Sequence, residues 1–293
     1  MTSDSGAGLE AFLAAPVERV VKIAPATLIY SVSGTRRSAA LAGVSASGHD
    51  YMHWSRQQML ACLDLIFRHG VQHILMPVIT PSQFSEATPS YREHLWQWLD
   101  QGLAGSEALA DYQRFGWRVH FPFGDKLTRL RQVSERLKVT RQQPGNCSLW
   151  IFIVPEHNLL WEWALTALRQ IPVKTAADAI RLIYGEEIPP ATLYLDFGKP
   201  VVSPDLLPPF LFGVLNCYWS QRPGYSLNQR QLRTILYDYA YVRTTWQEDK
   251  TGRAEQALAH RDAWERGPTV GLGVPLGPFW YPAPIRPMPG ESS

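Results

Sequence analysis

Short apolar runs alternate with amphipathic segments along most of the chain. Runs typical of buried strands are Leu28–Val32, Ile74–Ile79, Trp117–Phe123, Leu149–Val154, Thr192–Phe197 and Phe210–Cys217. Apolar residues recur at helical spacing in Asp50–His69, Tyr91–Leu103, Glu107–Phe115, Lys126–Leu137, Leu159–Gln170, Ala176–Tyr184, Ser226–Trp246 and Arg253–Trp264, before a last extended run, Thr269–Trp280. Strands that alternate with helices predict an α/β fold with a mainly parallel sheet flanked by helices.

Local signals predict where several of these elements begin and end. Gly70 follows the first long helix as a stop signal, and Thr175 is a plausible N-cap for the helix at Ala176. Ser226, with Gln229 three residues later, has the pattern of a capping box. Pro77 lies inside an apolar run and weakens the prediction of a strand there, because proline cannot donate a hydrogen bond to a sheet.

Length and composition favour one well-packed domain. The 293 residues reach the top of the range for a single domain, and no Gly/Ser linker divides them. Charged residues make up 18% of the chain, aromatic residues 12%, and there are eleven Trp. So much apolar and aromatic surface argues against disorder. The balance of 28 Lys+Arg against 26 Asp+Glu argues against a nucleic-acid-binding protein, which usually has a basic domain or stripe.

The sequence predicts a cytoplasmic protein without a membrane anchor. Residues 1–22 lack the basic and apolar regions of a signal peptide. The longest apolar stretches, Leu149–Pro155 and Phe210–Trp219, are far shorter than the roughly 20 residues of a membrane helix. Three widely spaced cysteines without a Cys-x-x-Cys pair indicate neither a zinc site nor a disulfide framework.

The turn Ser33-Gly34-Thr35-Arg36-Arg37 directly follows the first predicted strand. Ligands of open parallel sheets bind beyond the carboxyl ends of the strands. Small residues let backbone N–H groups approach an anion, and two arginines supply forked donors for phosphate oxygens. The alternative is a solvated turn with two surface arginines, and the spacing alone does not exclude it.

Other polar residues have an ordinary structural interpretation beside a functional one. Asp50 and Tyr51 open the first long helix and Tyr91 opens the next, where an anion is favoured, although packing and capping are the commoner roles. The Gly-Asp turn at Phe123-Gly124-Asp125 and the carboxylate of Asp196 both follow strands, and most such groups only close turns.

Common cofactor and catalytic motifs are missing from the sequence. The eight histidines show no metal-type spacing, because Gly70 interrupts the helix that would align His69 with His73. The tryptophan pairs Trp96/Trp98 and Trp161/Trp163 indicate packing in the core or at an interface more than a cofactor site. There is no P-loop, G-x-G-x-x-G or G-x-S-x-G sequence.

Taken in order, several segments resemble the cis-prenyltransferase superfamily. They are the turn Gly34–Arg37, the segment His69-Gly70-Val71-x-His73-Ile74, and Trp117–Asp125 with Leu127 and Leu130. Asp50-Tyr51, Tyr91, Tyr184-Gly185-Glu186, Leu232–Arg243 and Val270–Trp280 are most similar to the diterpene synthase branch, whose members make tuberculosinol and kolavelool. The resemblance is collinear over residues 28–281, and Leu232–Arg243 is its most specific part.

The resemblance implies a single-domain fold like that of undecaprenyl diphosphate synthase. It places a catalytic domain at 28–281 between an N-terminal extension, 1–27, and a Pro-rich tail, 282–293. The implied enzyme is a homodimer that acts, together with a class II diterpene cyclase, on a bicyclic diterpenyl diphosphate of the kolavenyl or tuberculosinyl type. It ionises the C–O bond, releases diphosphate and lets water capture the allylic cation.

By position, the resemblance assigns diphosphate binding to Gly34, Thr35, Arg36 and Arg37. It assigns the catalytic positions to Ser33, Arg37, Tyr51 and Tyr91. The family motif has an aspartate where this chain has Ser33, and a serine cannot supply the charge that binds Mg²⁺. Ionisation would then rely on the arginines and helix dipoles, on Mg²⁺ held by the diphosphate itself, or on another carboxylate, Asp50 or Asp196.

The sequence departs from the family pattern at a second place, and two other functions are open. Phe197-Gly198-Lys199-Pro200 stands where chain-elongating relatives bind isopentenyl diphosphate through an R-x-S segment, which argues against polyprenyl elongation. One alternative is prenyl transfer to a nucleoside-type acceptor. The other is a non-catalytic accessory subunit that has lost its carboxylate at position 33.

Overall fold

The computed structural model describes residues 5–85, 88–245 and 249–282. The chain divides into a large unit, Met1–Ala240, and a small unit, Tyr241–Ser293. The sequence-based domain bounds at 28 and 281 stay a prediction.

A six-stranded parallel sheet forms the centre of the large unit, in the order β3-β4-β2-β1-β5-β6. Its strands are β1 Thr27–Val32, β2 His73–Ile79, β3 Arg118–His120, β4 Ser148–Ile153, β5 Ala191–Phe197 and β6 Phe212–Ser220. All six strands end at the same edge, where ligands of open α/β sheets bind. The predicted α/β class and parallel sheet are confirmed.

Eleven α-helices are described in the large unit. They are α1 Ser5–Leu13, α2 Val17–Val21, α3 Thr35–Leu41, α4 Gly48–Arg68, α5 Pro81–Phe84, α6 Pro89–Gln97, α7 Ser106–Phe115, α8 Arg131–Leu137, α9 Leu159–Gln170, α10 Ala176–Tyr184 and α11 Gln229–Tyr237. The predicted N-cap of α10 is confirmed, since the Thr175 hydroxyl accepts from the Asp178 backbone N–H at 3.1 Å. Gly70, with φ of 103°, follows α4 as predicted.

Strand alternation divides the core of the large unit between the two faces of the sheet. On the first face, β4 contributes Leu149 and Ile151, which belong to the larger cluster with residues of α4, α7, α8 and α11. On the second face, Trp150 and Phe152 pack with residues of α9 and α10. Because side chains of a strand point alternately to opposite faces, a strand covered on both sides is apolar throughout, as β4 is.

Arg233 on α11 holds the N-terminal helix α1 and the turn after it against the rest of the large unit. Its guanidinium donates to the carbonyl oxygens of Leu13 at 2.7 Å and Ala15 at 2.6 Å, and its Nε donates to His69 Nε2 at 3.2 Å. The Phe12 ring also packs 5.5 Å from the Tyr237 ring. These contacts explain why the Leu232–Arg233 part of the most specific sequence segment is buried.

Several predicted elements of the large unit differ from the observed ones. The strand expected at Trp117–Phe123 covers only Arg118–His120, since Phe123 has φ of 61° and begins a 3₁₀ turn. The helix expected from Ser226 begins at Gln229, because Asn228 caps it by accepting from the Gln231 N–H at 2.9 Å. The segment Lys126–Leu137 is helical only in part, as a 3₁₀ turn at Thr128–Leu130 followed by α8.

Pro77 lies within β2 without breaking the sheet. It falls beyond the last pair between β1 and β2, Ile29 with Leu75, and the pairing with β4 shifts between Pro77 and Ile79. A proline is tolerated where the strand needs no backbone donor, so the strand prediction is confirmed despite this residue.

The small unit contains two short helices and a hairpin. Helix α12, Arg253–Ala259, and helix α13, Arg261–Glu265, replace the single helix predicted for Arg253–Trp264 and divide at His260. Strands β7, Gly273–Leu276, and β8, Phe279–Pro282, form an antiparallel pair that begins inside the predicted extended run, Thr269–Trp280, and ends two residues beyond it. Trp246, the predicted end of the preceding helix, lies outside the described residues. Within the described ranges, no helix is long and apolar enough to span a membrane.

Candidate active site at the end of strand β1

The turn between β1 and α3, Ser33–Arg37, forms the centre of the site, and we call it the cradle. Gly34 has φ of 75°, a conformation that residues with a side chain rarely adopt. A Cβ on Gly34 would stand 2.5 Å from a terminal nitrogen of Arg37. The missing side chain therefore leaves the space in which the Arg37 guanidinium folds back over the turn.

Two tyrosines from neighbouring helices contact the cradle. The hydroxyl of Tyr51, on the first turn of α4, lies 2.6 Å from Thr35 Oγ1. The guanidinium carbon of Arg36 lies 4.5 Å from the centre of the Tyr91 ring on α6, a cation–π distance. The structure thus brings together the residues that the sequence assigned to diphosphate binding and both predicted tyrosines.

The loops after β5 and β6 hold the cradle in place. The Ser33 hydroxyl donates to the Phe197 carbonyl oxygen, and the Ser38 hydroxyl donates to that of Pro223. The Gly224 N–H donates to the Ser33 carbonyl oxygen at 2.7 Å. A Cβ on Gly224 would stand 3.0 Å from Thr35 Cα, so glycine permits this close approach of two backbones.

Asp196, near the end of β5, places a buried carboxyl group beside the cradle. Its residue is 5% exposed, and it pairs in register with Ser31 on β1. Burial raises the pKa of Asp196 to about 6, while hydrogen bonds from the Ser31 hydroxyl and the Phe197 backbone oppose that rise. Burial also raises the pKa of nearby Tyr194, and the Asp196 carboxylate adds to it.

Asp50, the other candidate carboxylate, faces solvent. Its side chain is 88% exposed and lies 4.0 Å from the imidazole of His49, which is 87% exposed. A carboxylate in water provides little of the field that a buried one provides, because water screens its charge. The structure therefore favours the buried Asp196 over the exposed Asp50 as the candidate carboxylate of the site.

Two adjacent cationic side chains and a tight turn suit the cradle to a diphosphate. Arginine forms paired hydrogen bonds with phosphate oxygens, and charge-assisted bonds of this kind are about twice as strong as neutral ones. Within the described ranges, no three His, Cys, Asp or Glu side chains gather as a metal centre. Mg²⁺ in such sites is bound largely through substrate phosphates, which a bound diphosphate would supply here.

Other singled-out motifs lie away from the cradle, near the outer strand β3. Phe123 and Asp125 line a cleft of about 450 Å³ with His120 and Tyr184 near β3, the outer strand three positions from β1. The Tyr184 hydroxyl donates to the Pro209 carbonyl oxygen at 2.8 Å. Glu186 binds Arg118 at 2.9 Å, so the family match at Tyr184–Glu186 stabilises this edge of the sheet.

Three of the paired tryptophans, Trp96, Trp98 and Trp163, pack partly buried against the hydrophobic core, as predicted. Trp96 and Trp98 pack against the cluster on the first face of the sheet. On the second face, the ring of Trp163 lies 5.4 Å from that of Phe123, and the ring of Trp161 lies 5.9 Å from that of Phe210.

Sequence reasoning missed several residues that shape the site. Ser31 on β1 hydrogen-bonds to Asp196, while Gly198 after β5 and the Pro223–Gly224 loop after β6 reach the cradle from other parts of the chain. The sequence had named Gly198 only as part of Phe197–Pro200, the segment that departs from the family pattern. No local pattern pointed to Pro223 and Gly224, because their contacts join residues about 190 positions apart in the chain.

The chain is similar to known proteins over most of its length. No family model matches the chain. It is 48% identical over 274 residues to a (+)-kolavelool synthase of Herpetosiphon aurantiacus, covering 94% of this chain and 95% of that protein. A tuberculosinyl adenosine transferase of Mycobacterium tuberculosis is 23% identical over 256 residues, covering 79% of this chain and 82% of that protein.

Solved structures with a similar fold are distant in sequence. The lavandulyl diphosphate synthase of Lavandula x intermedia, solved with dimethylallyl diphosphate, has a TM-score of 0.57 and 10% identity, covering 75% of this chain and 97% of that one. A probable undecaprenyl diphosphate synthase of Campylobacter jejuni has a TM-score of 0.52 and 13% identity, covering 74% and 95%. The predicted cis-prenyltransferase fold is confirmed. On the evidence of the 48% identical relative, this chain belongs to the kolavelool synthase family of diterpene synthases.

Proposed function

We propose that the protein is a diterpene synthase that converts a bicyclic diterpenyl diphosphate, of the kolavenyl or tuberculosinyl type, into a diterpene alcohol. The observation that carries the proposal is the 48% identity to a kolavelool synthase across nearly the whole of both chains. The cradle supports it, because it gathers two arginines and two tyrosines at the edge of the sheet where ligands bind.

The arginines stabilise the charge that develops as the substrate ionises. When the C–O bond breaks, both of its electrons leave with the diphosphate, and the carbon skeleton becomes an allylic cation. Arg36 and Arg37 can offer forked N–H donors to the departing phosphate oxygens, which carry more negative charge in the transition state than in the substrate. Interactions that strengthen in the transition state are those that accelerate the reaction.

The two tyrosines orient groups around the leaving diphosphate. Tyr51 is held by its 2.6 Å contact with Thr35, so its hydroxyl stays at the cradle. Tyr91 offers a ring face that already lies against Arg36, which positions this guanidinium. Water then bonds to the cationic carbon and loses a proton, which yields the alcohol.

A divalent ion fits this site only together with the substrate. The diphosphate itself would hold Mg²⁺, which when bound supplies positive charge to the leaving group. The arginines provide charge of the same sign from the chain itself. We include Mg²⁺ dependence in the proposal on this basis.

The proposal extends to the partners and location expected from the sequence. A class II diterpene cyclase would make the bicyclic diphosphate that this protein consumes. The protein would act as a homodimer in the cytoplasm. Chain elongation is left out, since Phe197–Pro200 occupies the place of the family's second diphosphate site.

The test is product formation from purified substrates. Incubation with kolavenyl and halimadienyl diphosphates, with and without Mg²⁺, followed by gas chromatography and mass spectrometry, should yield a diterpene alcohol. Oxygen-18 water should label its hydroxyl group. Failure to make an alcohol or hydrocarbon from any C15–C20 diphosphate would contradict the proposal.

Two added conditions distinguish the alternative functions. Adenosine in the assay would give a product with the combined mass of terpene and nucleoside if the protein were a transferase to such an acceptor. Activity of a Ser33→Asp variant beside an inactive wild type would instead indicate an accessory subunit that has lost its carboxylate.

A further inference from the structure

The family motif has an aspartate where this chain has the uncharged Ser33. A carboxylate, that of Asp196, nevertheless lies on the neighbouring strand β5. Strands β1 and β5 run parallel and pair from Leu28 with Leu193 to Val32 with Phe197. Ser33 follows directly after the last pair, and its hydroxyl donates to the Phe197 carbonyl oxygen. Asp196 is therefore one residue from the point where β5 meets the cradle.

Gly198 shows how near the two side chains come. Ser33 Oγ and Asp196 Oδ2 both lie within 3.9 Å of the point where a Cβ on Gly198 would stand. Gly198 has no side chain, so the serine hydroxyl and the carboxylate approach the same small space. A carboxylate at position 33 and one at position 196 would consequently both lie beside Gly198, where β1 and β5 end.

The surroundings of Asp196 offer no structural reason for an ionisable group. Within the described part of the chain, it forms no ion pair, and its hydrogen bonds come from Ser31 and the Phe197 backbone. The titratable group facing it is Tyr194 on its own strand, and β6 places Trp219 opposite it. Burying a charge without a cationic partner is unfavourable, so natural selection keeps such a group mainly where function requires it.

We propose that Asp196 supplies from strand β5 the carboxylate that this cradle lacks at residue 33, and that it accepts the proton of the water that captures the cation. The inference rests on the proposed function. As the water oxygen forms its bond to the cationic carbon, one O–H bond breaks. Its electron pair stays on the product oxygen, and its proton moves to the Asp196 carboxylate.

Moving the carboxylate between strands tests the proposal. Asp196→Asn should lower kcat at least 100-fold. The double variant Ser33→Asp/Asp196→Asn should recover at least tenfold over the single variant, because it restores the charge from β1. Asp64→Asn, on α4, is the matched control and should keep wild-type turnover. Full activity of Asp196→Asn, or a double variant no better than the single one, would overturn the proposal, as would a loss confined to Asp50→Asn.

The pH profile separates a proton acceptor from a packing residue. Wild-type kcat should fall as the pH drops through about 6, where Asp196 becomes protonated. In the double variant the acidic side of the pH–rate profile should move to lower pH. Residue 33 is exposed, so an aspartate there loses its charge at a lower pH than the buried Asp196. An acidic side that stays in place in both enzymes would contradict the assignment.

A binding measurement keeps this inference distinct from the proposed function. Inorganic diphosphate, titrated at pH 8 with a chelator present, should bind Asp196→Asn about tenfold more tightly than wild type, because a like charge has been removed from the cradle. This result does not depend on turnover of any terpene. Equal affinities would show that the carboxylate is not at the anion site, whether or not the protein makes an alcohol.

Discussion

Two adjacent arginines give a nearly neutral chain a strongly positive site. The net charge is only +2, yet Arg36 and Arg37 are adjacent on one turn, and the Arg37 guanidinium folds back over Gly34. Local placement of charge therefore matters more for an anionic substrate than the total, because a charge at contact distance acts far more strongly than one across the molecule.

The forked guanidinium of Arg37 should be needed for turnover. We expect Arg37→Lys to lower kcat/KM about 10- to 100-fold and Arg37→Ala by more, since a hydrogen bond to a charged group contributes about 1.5–3 kcal/mol. Steady-state kinetics with the bicyclic diphosphate provide the measurement. Arg68→Ala, which removes an exposed arginine at the far end of α4, is the control and should leave the rate unchanged.

Asp196 should make the folded protein less stable at neutral pH than at mildly acidic pH. Its pKa rises from 3.8 to about 6 on folding, so the folded state binds more protons than the unfolded state between these values. This contribution favours folding below about pH 4 and is lost as the pH rises through about 6. The loss is about 3 kcal/mol at 1.36 kcal/mol per unit of pKa.

Chemical denaturation of Asp196→Asn and wild type at pH 4 and pH 7 should reveal this difference. From pH 4 to pH 7, the free energy of unfolding of the asparagine variant should rise by up to about 3 kcal/mol relative to that of wild type, because asparagine cannot ionise. A constant difference between the two proteins would show that the carboxyl group titrates normally. Stability gained together with activity lost would fit a group kept for function.

At the scale of elements, the turn Gly34–Arg37 is the part of the candidate site that local sequence features predict best. A strand, a glycine with positive φ and a short helix place both arginines at the carboxyl edge of the sheet. All of these features are local in the chain, which explains why the sequence predicted this turn as the candidate site.

Gly34 and Gly43 form a matched pair for testing the turn. Their φ angles are 75° and 73°, but a Cβ on Gly34 would meet Arg37, whereas one on Gly43 would meet no atom within 4 Å. We expect each alanine substitution to cost about 1–2 kcal/mol of folding free energy because of the left-handed backbone. Only Gly34→Ala should also weaken diphosphate binding, measured by calorimetry. Equal binding by both variants would contradict the role of Gly34 in placing Arg37.

The start of α11 shows a local signal that tertiary structure overrode. Ser226 and Gln229 have the spacing of a capping box, but Asn228 holds the cap and the helix begins one residue after it. The Ser226 N–H is taken by the Gly224 carbonyl oxygen at 3.0 Å, within the loop that holds the cradle. The position of this loop therefore decided which residue became the cap.

Asn228→Ala should destabilise the protein by about 1 kcal/mol, because the Gln231 N–H loses its partner. The control is Gln229→Ala, which removes the other half of the expected capping box and should change the unfolding free energy by a few tenths of a kcal/mol. Thermal unfolding measures both. A larger effect of Gln229→Ala would restore the capping-box interpretation.

At the scale of the whole molecule, one edge of the sheet offers a surface for self-association. Strand β6 pairs with β5 on one side and, among the described residues, with no strand on the other. Val214 on β6 is 88% exposed and Trp219 is 41% exposed. Unprotected edge strands with apolar side chains are prone to associate, which is consistent with the proposed homodimer.

The homodimer should have twice the 33.1 kDa mass of the chain in light scattering after size-exclusion chromatography. We expect Val214→Asp to shift it to the monomer, because a charge buried in an apolar interface lacks a partner. Val139→Asp, at an exposed valine between α8 and β4, should leave the mass unchanged. A wild-type protein that elutes as a monomer would contradict the dimer.

Order and periodicity along the chain determined the α/β class, the parallel sheet and the turn with two arginines. These features depend on neighbouring residues, whose spacing sets helix, strand and turn directly. The full-length relationship to a kolavelool synthase likewise follows from residue order alone.

Tertiary structure alone decided which of the scattered polar residues share the site. Asp50 and Asp196 look alike in the sequence, yet one is 88% exposed and the other lies beside Ser33, because β5 pairs with β1. Likewise, the Pro223–Gly224 loop reaches the cradle across about 190 residues of chain. Contacts of this range depend on the pairing of distant strands, which is fixed by burial and register of the whole sheet rather than by any local pattern.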